Sequence, residues 1–131
     1  MRNAIALIAA LALVQLDAAA AFAQRSHHYP IARVGQCANS RITAIHARLE
    51  GDPNFESGIG VELANGIYGV SYESVGAVRR SRVGDRVRSC LVSIPTDCPP
   101  GDDRGRMYRT TNLRTRQSWT LPDSQHGCGG A

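Results

Sequence analysis

The sequence predicts an all-β fold, a small disulfide-stapled barrel or sandwich (OB-like or SH3-like) of about five strands. Two observations support this prediction. Short strand-compatible stretches alternate with closely spaced turns, and no long helical period is present. In addition, the chain of 131 residues contains four cysteines, an even number. In an exported chain of this size, such a set is most economically two disulfides.

The first 23 residues have the pattern of a signal peptide. Arg2 provides a positive start, residues 3–16 are almost entirely apolar, and Ala21-Phe22-Ala23 is a small-x-small cleavage site. The apolar run is too short for a membrane-spanning helix, which argues against the alternative of an uncleaved anchor. We therefore expect a periplasmic or secreted protein that starts near Gln24 and has no membrane span after cleavage.

The mature chain is expected to be a single domain. Residues 24–36 have no clear period and predict an N-terminal arm, and residues 37–131 form the β domain. A chain of about 108 residues buries only about two-thirds of its unfolded surface. Few large aromatic side chains remain to fill its core, so covalent links are expected to contribute much of the stability.

We expect the domain to be organised around residues 86–98, a strand followed by a short return to a second cysteine. The turn at 83–85 leads into it, Val87 and Leu91 are apolar and strand-compatible, and Pro95 ends it because proline cannot donate to a ladder. Cys90 lies inside this strand and Cys98 just past its end.

The pattern is ambiguous at residues 38–49. Ile42, Ile45 and Leu49 fit a helical stripe. One face of a strand would instead contain Thr43, Ile45, Ala47 and Leu49. We favour the strand because the rest of the chain reads as β, apart from one short helical turn expected within residues 73–82.

Two hairpins are predicted. Asn65-Gly66 suits a two-residue type I′ turn, which would pair Leu63 with Tyr68. That register collects one apolar face from Ile59, Val61, Leu63, Tyr68, Val70 and Tyr72. A second hairpin is expected from residues 106–112 and 117–121, with its turn at 113–116.

Four cysteines allow three pairings, and the sequence alone does not choose between them. We prefer Cys90–Cys98, which closes a short loop, together with Cys37–Cys128, which ties the ends of the domain. The alternative is a zinc site from Cys90, Cys98, His126 and Cys128. Its spacings match no familiar finger and export disfavours free thiolates, so no metal and no cofactor is expected.

All basic side chains apart from histidine are arginine, and the formal net charge is +4. The guanidinium group suits carboxylates, phosphates and sulfates. One arginine group lies within residues 79–88 and a second lies in the second hairpin, where two large aromatic residues are interleaved. The predicted ligand-binding residues are Arg106, Tyr108, Arg109, Arg114, Arg116 and Trp119. The alternative is a solvated face whose arginines reflect base composition.

The second half of the chain resembles a group of small exported bacterial proteins of unknown function. The resemblance rests on SRVGD at 81–85, CLVSIPTDCPPGDDRGR at 90–106, TNLRT at 111–115 and LPDSQHGCGGA at 121–131. The resemblance implies an exported, disulfide-bearing domain and no particular activity. Chains of this group have Gly where Arg116 stands, which implies that Arg116 occupies a turn position suited to positive φ.

These features favour a non-enzymatic binding or interaction module of the cell envelope. Its expected partner is an anionic envelope component or a secreted protein. One alternative is an inhibitor of an extracellular hydrolase that inserts the rigid loop at 98–105. The other is a small hydrolase using His126 with Ser124 or Asp123.

Other candidate groups have simpler interpretations. Asp102 and Asp103 fit a solvated turn with an ion pair to Arg104 better than a cation site, because the ligand periodicity of a calcium loop is missing. His27 would lie fourth from the new amino terminus, one position too far for a terminal copper or nickel site, so His27 and His28 are expected to be exposed residues of the arm.

Overall fold

The computed structural model describes residues 29–130. The predicted signal peptide at 1–23 and the histidines at 27 and 28 lie outside the described residues. The described elements, in chain order, are β1 (Cys37–Ala47), β2 (Ile59–Leu63), β3 (Tyr68–Ser71), α1 (Gly76–Arg79), β4 (Arg86–Ser93), β5 (Met107–Asn112) and β6 (Ser118–Pro122). The all-β prediction is confirmed, with six strands in place of about five. None of the helical residues within 29–130 form a segment long and apolar enough to cross a membrane.

The six strands form one antiparallel sheet in the order β3-β2-β1-β4-β5-β6. Two three-stranded meanders therefore meet at the central pair of β1 and β4. The sheet curls into a half-barrel, and its edge strands β3 and β6 approach each other. A Cβ atom at Gly69 would lie 3.3 Å from a methyl carbon of Leu121, so the absence of a side chain at Gly69 permits this close approach.

The hydrophobic core fills the concave face of the sheet. Its buried members are Ile31, Ile42, Ile59, Val61, Leu63, Ile67, Val78, Val87, Leu91, Tyr108, Trp119 and Leu121. Val78 comes from α1 and is 0 % exposed. The expected helical turn therefore exists, and the connection from β3 to β4 carries it over the core.

Residues 37–47 form a strand, as favoured from the sequence, and a β-bulge explains the ambiguous pattern. The pairing with β2 shifts between Ile42 and Ala44. Because the bulge adds one residue, Ile42 and Ile45 both reach the core although they are three positions apart, an odd spacing that places two residues on opposite faces of a regular strand. A spacing of three residues is also the helical spacing, so a bulged strand here imitates an amphipathic helix.

The first hairpin lies where Asn65-Gly66 predicted it, but the predicted turn class and register are wrong. The Gly66 N–H donates to the Leu63 carbonyl, and the Leu63 N–H donates to the Ile67 carbonyl, both at 2.9 Å. The loop therefore has three residues, of which only Gly66 has positive φ, at +87°.

This longer loop shifts the hairpin by one position, so that Glu62 is opposite Tyr68 and Val61 is opposite Gly69. Tyr68 and Val70 consequently lie on the outer face with Glu62, and not on the apolar face with Val61 as predicted.

The second hairpin agrees with its prediction. Residues 113–116 form its turn, in which the Arg116 N–H donates to the Asn112 carbonyl at 2.8 Å. Arg116 has φ of +58°, the left-handed region that favours glycine.

The preferred cysteine pairing is wrong. The disulfides are Cys37–Cys90 and Cys98–Cys128. Cys37 lies directly opposite Cys90 in the β1–β4 ladder, so their outward side chains meet. The C-terminal tail passes beside the loop at 98–105, where the Cys128 N–H donates to the Arg104 carbonyl at 3.0 Å. All four cysteines are oxidised, and the zinc alternative is therefore wrong as well.

Candidate functional site: an arginine-bearing outer face

The two aromatic residues of the predicted binding set lie in the core. Tyr108 is 3 % exposed and Trp119 is 6 % exposed. Tyr108 is opposite Leu121 in the β5–β6 ladder, and this register turns the ring onto the concave face. Neither ring is therefore presented on the surface, where a ligand could stack on it.

The predicted arginines are not gathered into one surface. Arg114 is held by Asp85, with its Nε 2.7 Å from Oδ1. The Arg106 guanidinium lies 3.6 Å from the centroid of the Tyr29 ring, and its Nε and Nη1 atoms are buried. Arg116 is exposed at the hairpin turn, and Arg109 is exposed on β5. Among these four, only Arg109 lies on the convex outer face of the sheet, because Arg106 precedes β5 and the other two belong to the turn.

On that outer face Arg109 joins three arginines from other strands. Arg41 on β1 is directly opposite Arg86 on β4, Arg88 follows two positions along β4, and Arg109 is opposite Cys90. All four side chains are exposed. We call Arg41, Arg86, Arg88 and Arg109 the arginine face.

The ladder fixes the spacing of the arginine face. Side chains on one face of a strand recur every two residues, or roughly 7 Å, and adjacent strands lie about 4.8 Å apart. The arginines therefore occupy three successive levels along β4. Their outer-face neighbours include four neutral polar residues: Asn39, Thr111, Ser118 and Thr120. The Thr111 and Ser118 hydroxyl oxygens lie 2.7 Å apart, within hydrogen-bond distance.

The arginine face has no matching carboxylate among residues 29–130. The ion pairs within residues 29–130 involve other side chains: they join His46 to Glu62, Arg104 to Asp102 and Arg114 to Asp85. Arg41 donates through Nη1 to the Gly84 carbonyl at 3.3 Å, which leaves its charge uncompensated. Like charges directly opposite in a ladder are destabilising. The Arg41–Arg86 pair therefore lowers stability in isolation, and a bound anion would relieve that repulsion.

The Cys37–Cys90 disulfide lies within this outer face and links its two central strands. Arg109 is opposite Cys90, and Arg88 is two positions before it. The cross-link holds β1 and β4 together directly beneath the charged side chains. The backbone positions of the arginine face are therefore fixed before any ligand binds, which lowers the ordering cost of binding.

A second polar cluster, which the sequence analysis missed, lies on the outer face of the meander formed by β1, β2 and β3. The Nε2 atom of His46 lies 3.4 Å from Glu62, and its ring is nearly parallel to that of Tyr68 at a centroid distance of 6.2 Å. A Cβ atom at Gly60 would lie 2.9 Å from the Tyr68 hydroxyl, so this glycine makes room for the rings. Burial, and then the charge of Glu62, raise the pKa of Tyr68.

No simple sequence signal connects these side chains, because they come from three strands. Within the described residues, no group of three or more His, Cys, Asp or Glu side chains is suited to hold a metal ion.

The groups around His126 are arranged differently from a catalytic set. The Ser124 hydroxyl donates to the backbone carbonyl of His126 at 2.7 Å. The imidazole meets the Tyr72 ring edge-on at a centroid distance of 6.5 Å. His126 is exposed, and the Ser124 hydroxyl is directed at a backbone carbonyl and not at the imidazole.

The loop at 98–105 is held by polar contacts as well as by its disulfide. Arg104 donates through Nε and Nη2 to the two Asp102 oxygens, at 2.8 and 2.9 Å. The Gly129 N–H also donates to Asp102, at 2.9 Å. Arg104 and the Gly129 amide hold the pKa of Asp102 well below its usual range. The predicted ion pair between Asp102 and Arg104 is confirmed.

Comparison with known proteins adds no further information on the site: no family model, no curated protein and no solved structure matches this chain.

Proposed function

We propose that this protein is an exported, non-enzymatic binding module for an anionic component of the cell envelope, and that the arginine face is its contact surface. The observation that carries the proposal is the set of four exposed arginines in ladder register without carboxylate partners among residues 29–130. The repulsion between Arg41 and Arg86 lowers the stability of the free protein, and a bound anionic ligand would remove this repulsion.

The chemistry of the ligand follows from the side chains. The planar guanidinium fork makes two parallel hydrogen bonds to a carboxylate, sulfate or phosphate group. The arginine face is open and its three levels are regularly spaced, which suits an extended polymer with repeating charges. Export is supported by the pattern of residues 1–23. The two disulfides are compatible with a compartment outside the cytoplasm.

The test is salt-titrated binding of the oxidised chain starting at Gln24. Calorimetry with a sulfated polysaccharide and with polygalacturonate should give affinities that fall as salt rises, because each contact releases counterions. Arg88→Gln should weaken binding and reduce the salt dependence. Arg82→Gln is the matched control, since Arg82 is exposed but precedes β4 and lies off the arginine face. Absence of binding at low salt, or equal loss in both variants, contradicts the proposal.

A second candidate function is inhibition of a secreted hydrolase by the loop at 98–105. The observation in its favour is the restraint of this loop by Cys98–Cys128 and by Asp102, which bridges Arg104 and Gly129. Restrained loops lose little entropy on binding. An inhibitor of this kind should block a purified secreted hydrolase at stoichiometric concentration. Pro100→Gly should weaken the inhibition and Arg88→Gln should not.

A further inference from the structure

A cleft lies on the surface between the edge strands β3 and β6, where the half-barrel comes close to closing. Its volume is about 380 Å³, and Tyr72, Glu73, Thr120, Ser124 and Gln125 contribute to its walls. Small-molecule sites occupy roughly 300–1,000 Å³, so the cleft has room for a small group. Its polar side chains carry a carboxylate, an amide and four hydroxyl groups, one of which is the phenol of Tyr72.

Tyr72 presents a fixed aromatic ring at this cleft. The residue is 52 % exposed, and the guanidinium of Arg48 lies 4.3 Å from the centroid of its ring. Arg48 is itself held, because it donates to the Ser57 carbonyl at 2.6 Å and to Gln125 at 3.2 Å. The edge contact with His126 restrains the ring further. An exposed ring that is already oriented loses little rotamer entropy when a ligand stacks on it.

The cleft adjoins the arginine face. Thr120 belongs to the cleft wall and lies directly opposite Arg109 in the β5–β6 ladder. One strand spacing, about 4.8 Å, therefore separates the last arginine position from the cleft. A single extended ligand can contact both surfaces.

We infer that the Tyr72 cleft is a subsite for a sugar ring and that the ligand of the arginine face is an acidic polysaccharide. This inference rests on the proposed function and names its ligand class. The ring of Tyr72 stacks on the apolar C–H face of a pyranose. Glu73 accepts hydrogen bonds from sugar hydroxyls, and Gln125 provides both a donor and an acceptor. Arg109 and Arg88 bind carboxylates on the neighbouring sugars.

A nucleic acid fits the same surface less well. Non-specific binders of single strands stack successive bases on several aromatic rings. Here Tyr108 and Trp119 are buried, and Tyr72 is the exposed ring next to the arginine face.

The test compares two polyanionic probes, of which only one contains sugar rings. Polygalacturonate carries one carboxylate on each sugar, and inorganic polyphosphate carries charge without rings. With the oxidised chain starting at Gln24, Tyr72→Ala should weaken polygalacturonate binding about tenfold, the size of a ring-stacking contribution, and leave polyphosphate binding unchanged. Tyr72→Phe keeps the ring and should bind as the unaltered protein does. Arg88→Gln should weaken both probes.

Three outcomes would overturn the inference. If Tyr72→Ala binds polygalacturonate as well as the unaltered protein does, the cleft is not a sugar subsite, while the arginine face keeps its role. If a single-stranded oligonucleotide binds more tightly than polygalacturonate and depends on Tyr72, the ligand is a nucleic acid. If the unaltered protein binds none of these polymers, the proposed function itself is wrong. Circular dichroism of each variant would establish that it is folded.

Discussion

Asp85 and Arg114 form a two-point ion pair that joins the start of β4 to the turn of the β5–β6 hairpin. The Nε atom of Arg114 lies 2.7 Å from Oδ1 of Asp85, and Nη2 lies 2.8 Å from Oδ2. Arg114, followed by the Asn112 amide and the Arg82 backbone, holds the pKa of Asp85 well below its usual value of 3.8. The stabilisation from this pair is therefore linked to pH.

Because the pKa of Asp85 is lower in the folded state than in the unfolded chain, its contribution is fully present above about pH 4 and is lost as the pH falls through the folded-state value. We expect Asp85→Asn to lower the melting temperature at pH 7 and to flatten the loss of stability in acid. Thermal unfolding between pH 2 and pH 7 measures both effects. Asp97→Asn, an exposed position after β4, is the control. Parallel acid curves for Asp85→Asn and the unaltered protein would contradict the linkage.

Asn112 is expected to be one of the most sensitive positions of the domain. It is 0 % exposed, and its amide nitrogen donates to Ser81 and Asp85, each at 2.8 Å. Its side-chain oxygen accepts from the Arg114 N–H at 2.8 Å. Asn112→Ala leaves two turn N–H groups without their acceptor and removes a buried donor from Ser81 and Asp85, so we expect the free energy of unfolding to fall by about 2–4 kcal/mol.

Denaturant titration measures the Asn112→Ala effect, and Leu113→Ala provides the control. Leu113 lies in the same turn but is 45 % exposed, so its truncation should change the free energy of unfolding by less than about 0.5 kcal/mol. Equal effects at the two positions would mean that the turn, and not the buried amide, carries the stability.

Arg116 offers a stabilising substitution. Its φ of +58° is unfavourable for any residue with a Cβ atom, and Arg116→Gly removes that strain. We expect the free energy of unfolding to rise by about 0.5–1 kcal/mol. Leu113→Gly is the matched control, because Leu113 has no positive φ and should lose stability on the same change. A loss of stability in Arg116→Gly would contradict the turn geometry.

The disulfide connectivity can be checked directly. Peptide mapping without reduction should recover Cys37 linked to Cys90 and Cys98 linked to Cys128. The two links have sequence separations of 53 and 30 residues, and loop entropy predicts roughly 4 kcal/mol from each. Replacing either pair with alanine should therefore lower the free energy of unfolding by a similar amount, measured in denaturant. Recovery of a Cys90–Cys98 peptide would contradict the fold described here.

Local chemistry made most of the secondary structure predictable. The Asn65-Gly66 pair located the first hairpin, Pro95 marked the end of the central strand, and residues 113–116 were recognised as a turn. The one-residue error in the first hairpin arose because Asn-Gly also suits a three-residue loop in which only the glycine has positive φ. That small change moved Tyr68 to the opposite face.

The candidate site depends on contacts that the sequence does not reveal. Arg41 and Arg86 are 45 positions apart in the chain, yet the β1–β4 ladder places them opposite each other. The same ladder decides the cysteine pairing and was not predictable, because strand order is a non-local property. The sequence placed Tyr108 and Trp119 in the second hairpin. The face of the sheet that their rings occupy was fixed only by the pairing of β5 with β4 and β6.

The connectivity of the disulfides has a consequence for biosynthesis. The disulfides join the cysteines in the order in which they occur in the chain, the first to the second and the third to the fourth. In the export that we propose for this chain, an oxidase acting on it as it leaves a translocation channel, amino terminus first, would join the cysteines in this same order. The native links can therefore form in one pass, and maturation of this protein should not require a disulfide isomerase.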